Sequence, residues 1–383
     1  MDEIIVGTYE GFLLGYSLRS EDESETKLKQ TFATHSHTSS VRCISVAGKF
    51  LASGGTDDKV VIIDLKTRKE HTVLMNHDGT INSVAFTHGG THLLTGSDDG
   101  CIIVTRTGNW QIEKIWKKAH GGQPVTAIAV HESDKLALSI GGDKTLRTWN
   151  LVKGRPAFTI NLASKGVSMP TEIKFSPGGD RFSLVSLQNV DVWTISKAGL
   201  EKRLTCNSKP TTVQWIDDDK MFVGLETGNI INFKVSETQA DTFNAHKQRV
   251  KSLHYENNML YSASSSGELK AWSISENKLK EICSAKAACR VTCVALNRQS
   301  HLIKKEESDN ESDKEEKLCK NSDSDASEDD VKAETISKKR KPGAFVTISY
   351  DDDNANKESA NQEPPVKKAK RKRRNKKKNK NNE

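Results

Sequence analysis

The stretch "LALSIGGDKTLRTWNLVKGR", Leu136 to Arg155, decides how this chain folds. Its centre, Gly141-Gly142-Asp143-Lys144-Thr145, has the residue types of a phosphate-binding loop in the wrong order. Such a loop needs Gly-x-x-x-x-Gly-Lys-Ser/Thr, so that successive backbone N–H groups wrap the phosphates and the lysine follows the second glycine. Here Asp143 intervenes, placing a negative charge where phosphate oxygens would lie, and the residue five before Gly142 is Ala137. The nucleotide reading fails on chemistry, which leaves a turn between two strands.

The same register recurs. "FLASGGTDDKVVIIDL" (50–65), "HLLTGSDDGCIIVTR" (92–106) and "MLYSASSSGELKAWSI" (259–274) each have an apolar strand ending in Ser or Thr, a Gly/Ser/Asp turn, and a second alternating strand. "EIIVGTYEGFLLGYSL" (3–18), "RFSLVSLQNVDVWTI" (181–195) and "MFVGLETGNIINFKV" (221–235) fit more loosely. The position near the end of the second strand is Tyr16, Ile63, Thr105, Trp149, Trp193, Phe233 and Trp272, at spacings of 47, 42, 44, 44, 40 and 39 residues. Hairpins repeating at a period of about 40–45 residues predict propeller blades.

Most of these hairpins are preceded by His-x-x-x-apolar: His37 to Val41, His77 to Ile81, His246 to Val250, and His120 to Val125 with one extra residue. The apolar run after each His supplies an innermost strand, and an outer strand follows, as in "KEHTVLMN" (69–76). The first hairpin has no strand before it, but "CRVTCVAL" (289–296) matches "SVRCISVA" (40–47) in spacing. The expected architecture is an all-β, seven-bladed propeller in which a C-terminal strand completes the N-terminal blade and so removes an exposed sheet edge.

Within this frame His120, Ser139, Asp143 and Trp149 form a hydrogen-bonded chain. The indole N–H only donates, a hydroxyl does both, and a carboxylate accepts. His37, Ser53 and Asp57 keep three members, with Ile63 in the place of Trp; His246, Ser262 and Trp272 keep three, with Ser266 in the place of Asp. A His-Ser-Asp hydrolase triad is disfavoured, because the Ser lies inside a strand and recurs from blade to blade instead of standing on an exposed nucleophile elbow.

Composition divides the chain. Of 383 residues, 34% are hydrophobic and 28% charged, and residues 304–383 hold 22 Lys/Arg and 19 Asp/Glu. Such a segment cannot bury enough apolar surface to offset chain entropy, so the expected domains are a propeller over 1–303 and a disordered tail over 304–383. The seven cysteines, at 43, 101, 206, 283, 289, 293 and 319, form no C-x-x-C pair and no zinc spacing. No metal and no cofactor are expected. The acidic start, MDEIIVGTYE, lacks the apolar core of a secretory signal, and no apolar run is long enough to span a bilayer.

These residues resemble the WD-repeat (β-transducin) family over roughly residues 1–303. "KLALSIGGDKTLRTWNLVKGRPAF", with Trp149-Asn150 for Trp-Asp, is similar to a blade of the PAK-interacting protein 1-like family. "GTYEGFLLGY", "HSHTSSV", "SASSSGELKAWSI" and the Lys-rich C-terminus follow in the same order. Thr105-Arg106 and Ser266 depart from the pattern, which bears on local blade stability. The resemblance implies a non-enzymatic scaffold in nucleolar assembly of the large ribosomal subunit and pre-rRNA processing, monomeric within its complexes. It also implies binding and restraint of p21-activated kinases. A ubiquitin-ligase receptor is disfavoured because Trp149-Asn150-Leu151-Val152 and Trp272-Ser273-Ile274-Ser275 lack the Arg of Trp-Asp-x-Arg.

The tail suggests location and partners. Residues 306–330 carry twelve acids against three Lys, and Ser308, Ser312, Ser322, Ser324 and Ser327 among them are expected sites for an acidophilic kinase. Residues 364–380 carry eleven Lys/Arg and no acid, including Lys367, Lys368, Lys370, Arg371, Lys372, Arg373 and Arg374. That density reads as a nuclear or nucleolar signal, with pre-rRNA contact through phosphates, since no aromatic is present to stack on bases. "GAFVTISY" (343–350) alternates like a strand that could add to a partner's sheet edge. On the propeller, the expected partner face is built by the lead-in loops and hairpin turns, with Asp58, Asp78, Asp98, Gln123, Lys144 and Arg249.

Overall fold

The computed structural model describes residues 3–22, 25–197, 199–237, 240–275 and 278–298. Residues 304–383, with the acidic serines, the basic run and the 343–350 segment, lie outside these.

The described residues form seven four-stranded antiparallel sheets, with one turn of 3-10 helix at Ala163–Lys165 and no α-helix. The fold is an all-β, seven-bladed propeller. Blades 2 to 7 each run from the inside outward in chain order; blade 4, for example, is Val125–Val130, Leu136–Gly141, Thr145–Asn150 and Arg155–Asn161. Blade 1 differs as the spacing predicted: its inner strand is Val291–Asn297, paired antiparallel with Glu3–Thr8, and Phe12–Asp22 and Glu25–His35 lie outside them. Closure therefore rests on contacts between residues almost the whole propeller apart in sequence. Asn297 Nδ2 donates to Glu3 Oε2 at 3.1 Å, and Thr292 Oγ1 donates to the Gly7 carbonyl at 2.9 Å.

The blades bury both faces, and period-two alternation explains how. Ile4 and Val6 pack with Leu269, Ala271 and Val291 against blade 7, while Ile5 between them packs with Val41, Leu51 and Ile63 against blade 2. Seven such clusters, one between each pair of neighbouring blades, make a ring-shaped core. Tyr16, Ile63, Thr105, Trp149, Trp193, Phe233 and Trp272 are all buried in it. Thr105, the small member, is as buried as the rest.

The turn after the second strand needs a left-handed residue. It is Gly11, Asp58, Gly100, Lys144, Gly228 and Gly267 in six of the blades. Glycine enters that region freely, whereas Asp58 and Lys144 hold it at φ 60° and 58°.

Candidate functional site

Lead-in loops and hairpin turns come out on one face, and in four blades a buried histidine fastens them together. In blade 4, His120 Nδ1 lies 2.9 Å from Asp143 Oδ1, His120 Nε2 2.7 Å from Ser139 Oγ, and Trp149 Nε1 2.8 Å from the same Oγ. The carboxylate can only accept, so Nδ1 carries the proton; a neutral ring then leaves Nε2 to accept from Ser139, whose oxygen accepts from the indole. Every group is satisfied in one direction, as a rigid buried network requires. The ring fits because residue 141 is glycine: a Cβ there would sit 2.4 Å from His120 Cγ.

Burial drives the His120 imidazole below the ordinary histidine value, against the pull of Asp143. Burial would raise the Asp143 carboxyl, but hydrogen bonds from Thr145 and His120 outweigh it and hold the group below the ordinary range. Both shifts favour the neutral ring beside an ionised acid.

The other networks vary the parts. Blade 2 joins His37 to Asp57 at 2.9 Å and to Ser53 at 2.8 Å, with Ile63 where the indole would be. Blade 7 has four members: Trp272 Nε1 to Ser262 Oγ at 2.8 Å, Ser262 to His246 Nε2 at 2.7 Å, and His246 Nδ1 to Glu268 Oε2 at 2.7 Å. The acid there is Glu268, two residues beyond Ser266, its longer side chain covering the offset. Blade 3 holds a trio absent from the sequence reading, His77 with Thr95 and Asp99 at 2.8 and 2.7 Å. The signal for it was present in the His77 spacing and the Asp98-Asp99 turn, with threonine standing for serine.

Of the six expected face residues, Asp78, Asp98, Gln123 and Lys144 are exposed, and Asp58 and Arg249 half-buried. Asp98 accepts from Asn82 Nδ2 at 2.6 Å, and Arg249 lies 3.9 Å from Glu226. Asp98 and Arg249 also line the central channel, a cavity of about 1060 Å3 bounded by inner strands of all seven blades; the other four lie outside its lining. The sequence reading missed the cations of the channel mouth. Arg42, Lys251 and Arg290 line a cavity of about 440 Å3 where blades 1, 2 and 7 meet. Arg42 lies more than two hundred residues from Lys251 and Arg290 in sequence, and ring closure brings it to them. Among the described residues, no group of His, Cys, Asp and Glu has the geometry of a metal site, and no helix is long and apolar enough to cross a membrane.

The family model described as "WD domain, G-beta repeat" matches residues 26–64, 68–105, 112–150 and 237–273. Each match contains the outer strand of one blade and the three inner strands of the next, so the repeat unit straddles two blades. The four matches are the four histidine blades, and the protein is a WD-repeat propeller. A Xenopus laevis protein named "p21-activated protein kinase-interacting protein 1-like" is 36% identical over 315 residues, 80% of this chain and 85% of that protein. "Shk1 kinase-binding protein 15" of Schizosaccharomyces pombe is 30% identical over 71% of this chain and 77% of its own length. "Protein MAK11" of Saccharomyces cerevisiae is 25% identical over 80% and 86%. This chain belongs to the p21-activated protein kinase-interacting protein 1-like family of WD-repeat proteins.

Proposed function

We propose that this protein is a non-enzymatic scaffold in nucleolar assembly of the large ribosomal subunit and in pre-rRNA processing. The observation that carries the reading is the run of eleven Lys/Arg without an acid at 364–380, joined to a WD-repeat propeller. In this reading residues 1–303 are the docking platform and residues 304–383 a separate disordered segment. Lys367, Lys368, Lys370, Arg371, Lys372, Arg373 and Arg374 address the protein to the nucleolus and contact pre-rRNA phosphates. Phosphorylation of Ser308, Ser312, Ser322, Ser324 and Ser327 adds charge to the acidic block and strengthens its competition for the basic run. The platform presents Asp58, Asp78, Asp98, Gln123, Lys144 and Arg249 to assembly proteins, and the histidine networks hold the loops that carry them. Removal of 364–383 is expected to take the protein out of the nucleolus; undiminished nucleolar concentration in imaging would refute the address.

A second reading has a specific observation behind it: relatives bear names of kinase-binding proteins. As a negative regulator, the propeller would bind p21-activated kinases with the tail dispensable. Affinity purification with and without residues 304–383 separates the two. Large-subunit assembly factors and precursor RNA recovered in a tail-dependent manner support the scaffold, and a kinase recovered alone and independently of the tail supports the regulator.

A further inference from the structure

The channel mouth between blades 7, 1 and 2 has an unmet electrostatic demand. Lys251 is half-buried at the start of an inner strand, and Arg42 occupies the equivalent position of blade 2. Among the described residues neither makes an ion pair or a side-chain hydrogen bond. Arg290 is exposed, with its guanidinium 5.4 Å from the centre of the Tyr9 ring. The one carboxylate lining this cavity is Glu10, against three cations. Burial first, and then Arg249, Arg290 and Arg42, hold the Lys251 ammonium below the ordinary lysine value. Arg42 and Arg290 stay in water, so the cost falls on Lys251: a half-buried charge crowded by like charges destabilises the fold unless an anion joins it.

The hydroxyls of Thr38, Ser39 and Thr56 complete the wall as neutral polar groups, engaged with Asp57, with each other and with the Ser40 carbonyl, so the cations are the free donors of the pocket. The cavity continues on both sides. Arg290 is shared with a second cleft of about 620 Å3 lined by Glu226, Gln248 and Ser265, and Arg42 and Lys251 are shared with the channel. An extended chain therefore has room to enter and leave.

From these features we infer that the pocket formed by Arg42, Lys251 and Arg290 binds a phosphorylated serine or threonine presented by a partner protein. A phosphate dianion supplies the two charges and three acceptor oxygens that this set of donors lacks. A polynucleotide fits worse. The cations are bordered on the same face by Asp58, Asp98 and Glu226, which repel a continuous phosphate backbone. The one ring at the pocket, Tyr9, already has Arg290 over its face. This site goes beyond the ribosome-assembly reading and stands independently of it, since it specifies a chemical group and not a pathway.

The test uses the full chain and a fluorescent peptide library with a fixed central phosphoserine, its phosphothreonine counterpart, and the same library with unmodified serine. Fluorescence anisotropy is expected to show the phosphorylated libraries binding about tenfold tighter or more, as charge-assisted hydrogen bonds imply. The R42A/K251A double variant should lose that preference while melting at the same temperature or higher, because neither side chain has a partner in the fold and the repulsion among the cations is relieved. The exposed Arg290→Glu change should do the same, and Lys117→Ala, at an exposed cation in the lead-in loop of blade 4, should leave the preference intact. The Lys/Arg-rich run is present in all these proteins, so the readout is the difference between them. Equal affinity for the phosphorylated and unmodified libraries overturns the proposal, as does a preference that survives both R42A/K251A and R290E. A single-stranded RNA 20-mer, or inositol hexakisphosphate, whose binding alone is lost in those variants would assign the pocket to a polyanion and overturn it too. None of these outcomes depends on where the protein resides, so a failed nucleolar address leaves this result readable.

Discussion

Blades 4 and 5 are neighbours with the same tryptophan and opposite chemistry around it. Trp149 donates its indole N–H to Ser139, and through His120 the bond continues to Asp143. Trp193 is wholly buried at the equivalent place, yet Leu184 stands where blade 4 has Ser139, no histidine precedes the blade, and the indole Nε1 has no acceptor. Blade 5 puts its polar interaction elsewhere. Arg203 holds Asp191 through two bonds of 2.6 and 2.9 Å, and Asp191 is completely buried. The shared element is therefore the aromatic volume that fills the space between blades. The hydrogen-bonded chain is a second layer, added where a lead-in histidine ties its loop to a hairpin turn; loop length does not decide it, since the 162–171 lead-in of blade 5 carries none.

If that is right, the strand that closes the ring matters more than either network. A chain ending at residue 285 loses Val291–Asn297, the inner strand of blade 1, and with it Ala287, Val291 and Val294 from the core cluster between blades 7 and 1. It is expected to lose cooperative unfolding and to associate through the opened edges, because closure is what removes them. A monomeric 1–285 chain melting like the whole protein would break the closed-ring account. Next in size is Asp191→Ala. Removing one member of a buried pair typically costs about 3–5 kcal/mol, but Arg203 keeps 31% of its side chain in water and can rehydrate, so about 2–3 kcal/mol is expected. A loss in denaturant titration below about 0.5 kcal/mol would mean that blade 5 does not rely on this pair.

Most of the fold was legible in the sequence because it is periodic. Seven hairpins, their turn chemistry and the displaced closing strand all follow from the spacing of Tyr16 through Trp272 and from the match between 289–296 and 40–47. The networks were legible where the residue types repeat and obscure where only the geometry does. Glu268 replaces an aspartate from two positions away, a substitution that side-chain length permits and alignment hides. Thr95 does the work of a serine, and Asp191–Arg203 matches no repeat position at all. Arg42, Lys251 and Arg290 were invisible for a different reason. Their neighbourhood is made by closing a ring, and no local pattern records that.

A milder change isolates the indole hydrogen bond. Trp149→Phe and Trp193→Phe remove the same volume from equivalent buried sites, so the cavity term largely cancels between them. Trp149→Phe also leaves the Ser139 hydroxyl without its donor, whereas Trp193→Phe removes an N–H that had no acceptor. The stability loss for Trp149→Phe should exceed that for Trp193→Phe by about 1–2 kcal/mol. Equal losses would reduce the network of blade 4 to packing and erase the contrast with blade 5.

The smallest effect is the dependence on pH, and its sign follows from the same geometry. Burial lowers the folded pKa of His120 and His246 below the unfolded value, so in mildly acidic solution the unfolded chain binds more protons than the folded one. Stability is then full above about pH 6.5 and declines as the pH falls below it. The acids act in the same direction at lower pH: Asp143 and Glu268 stabilise the fold while ionised and lose that contribution as they protonate. His254 adds to the decline. It is half-buried in the channel wall, desolvation lowers its pKa to about 3, and its Nε2–H donates to the Val294 carbonyl of the closing strand at 2.8 Å. Melting temperature should therefore fall between pH 7.5 and pH 5.5, and the H120Q/H246Q double variant, though less stable, should show a shallower slope that His254 keeps from reaching zero. An unchanged slope in that variant would mean that the two histidines are not held neutral, and that Nε2 donates to the serine instead of accepting from it.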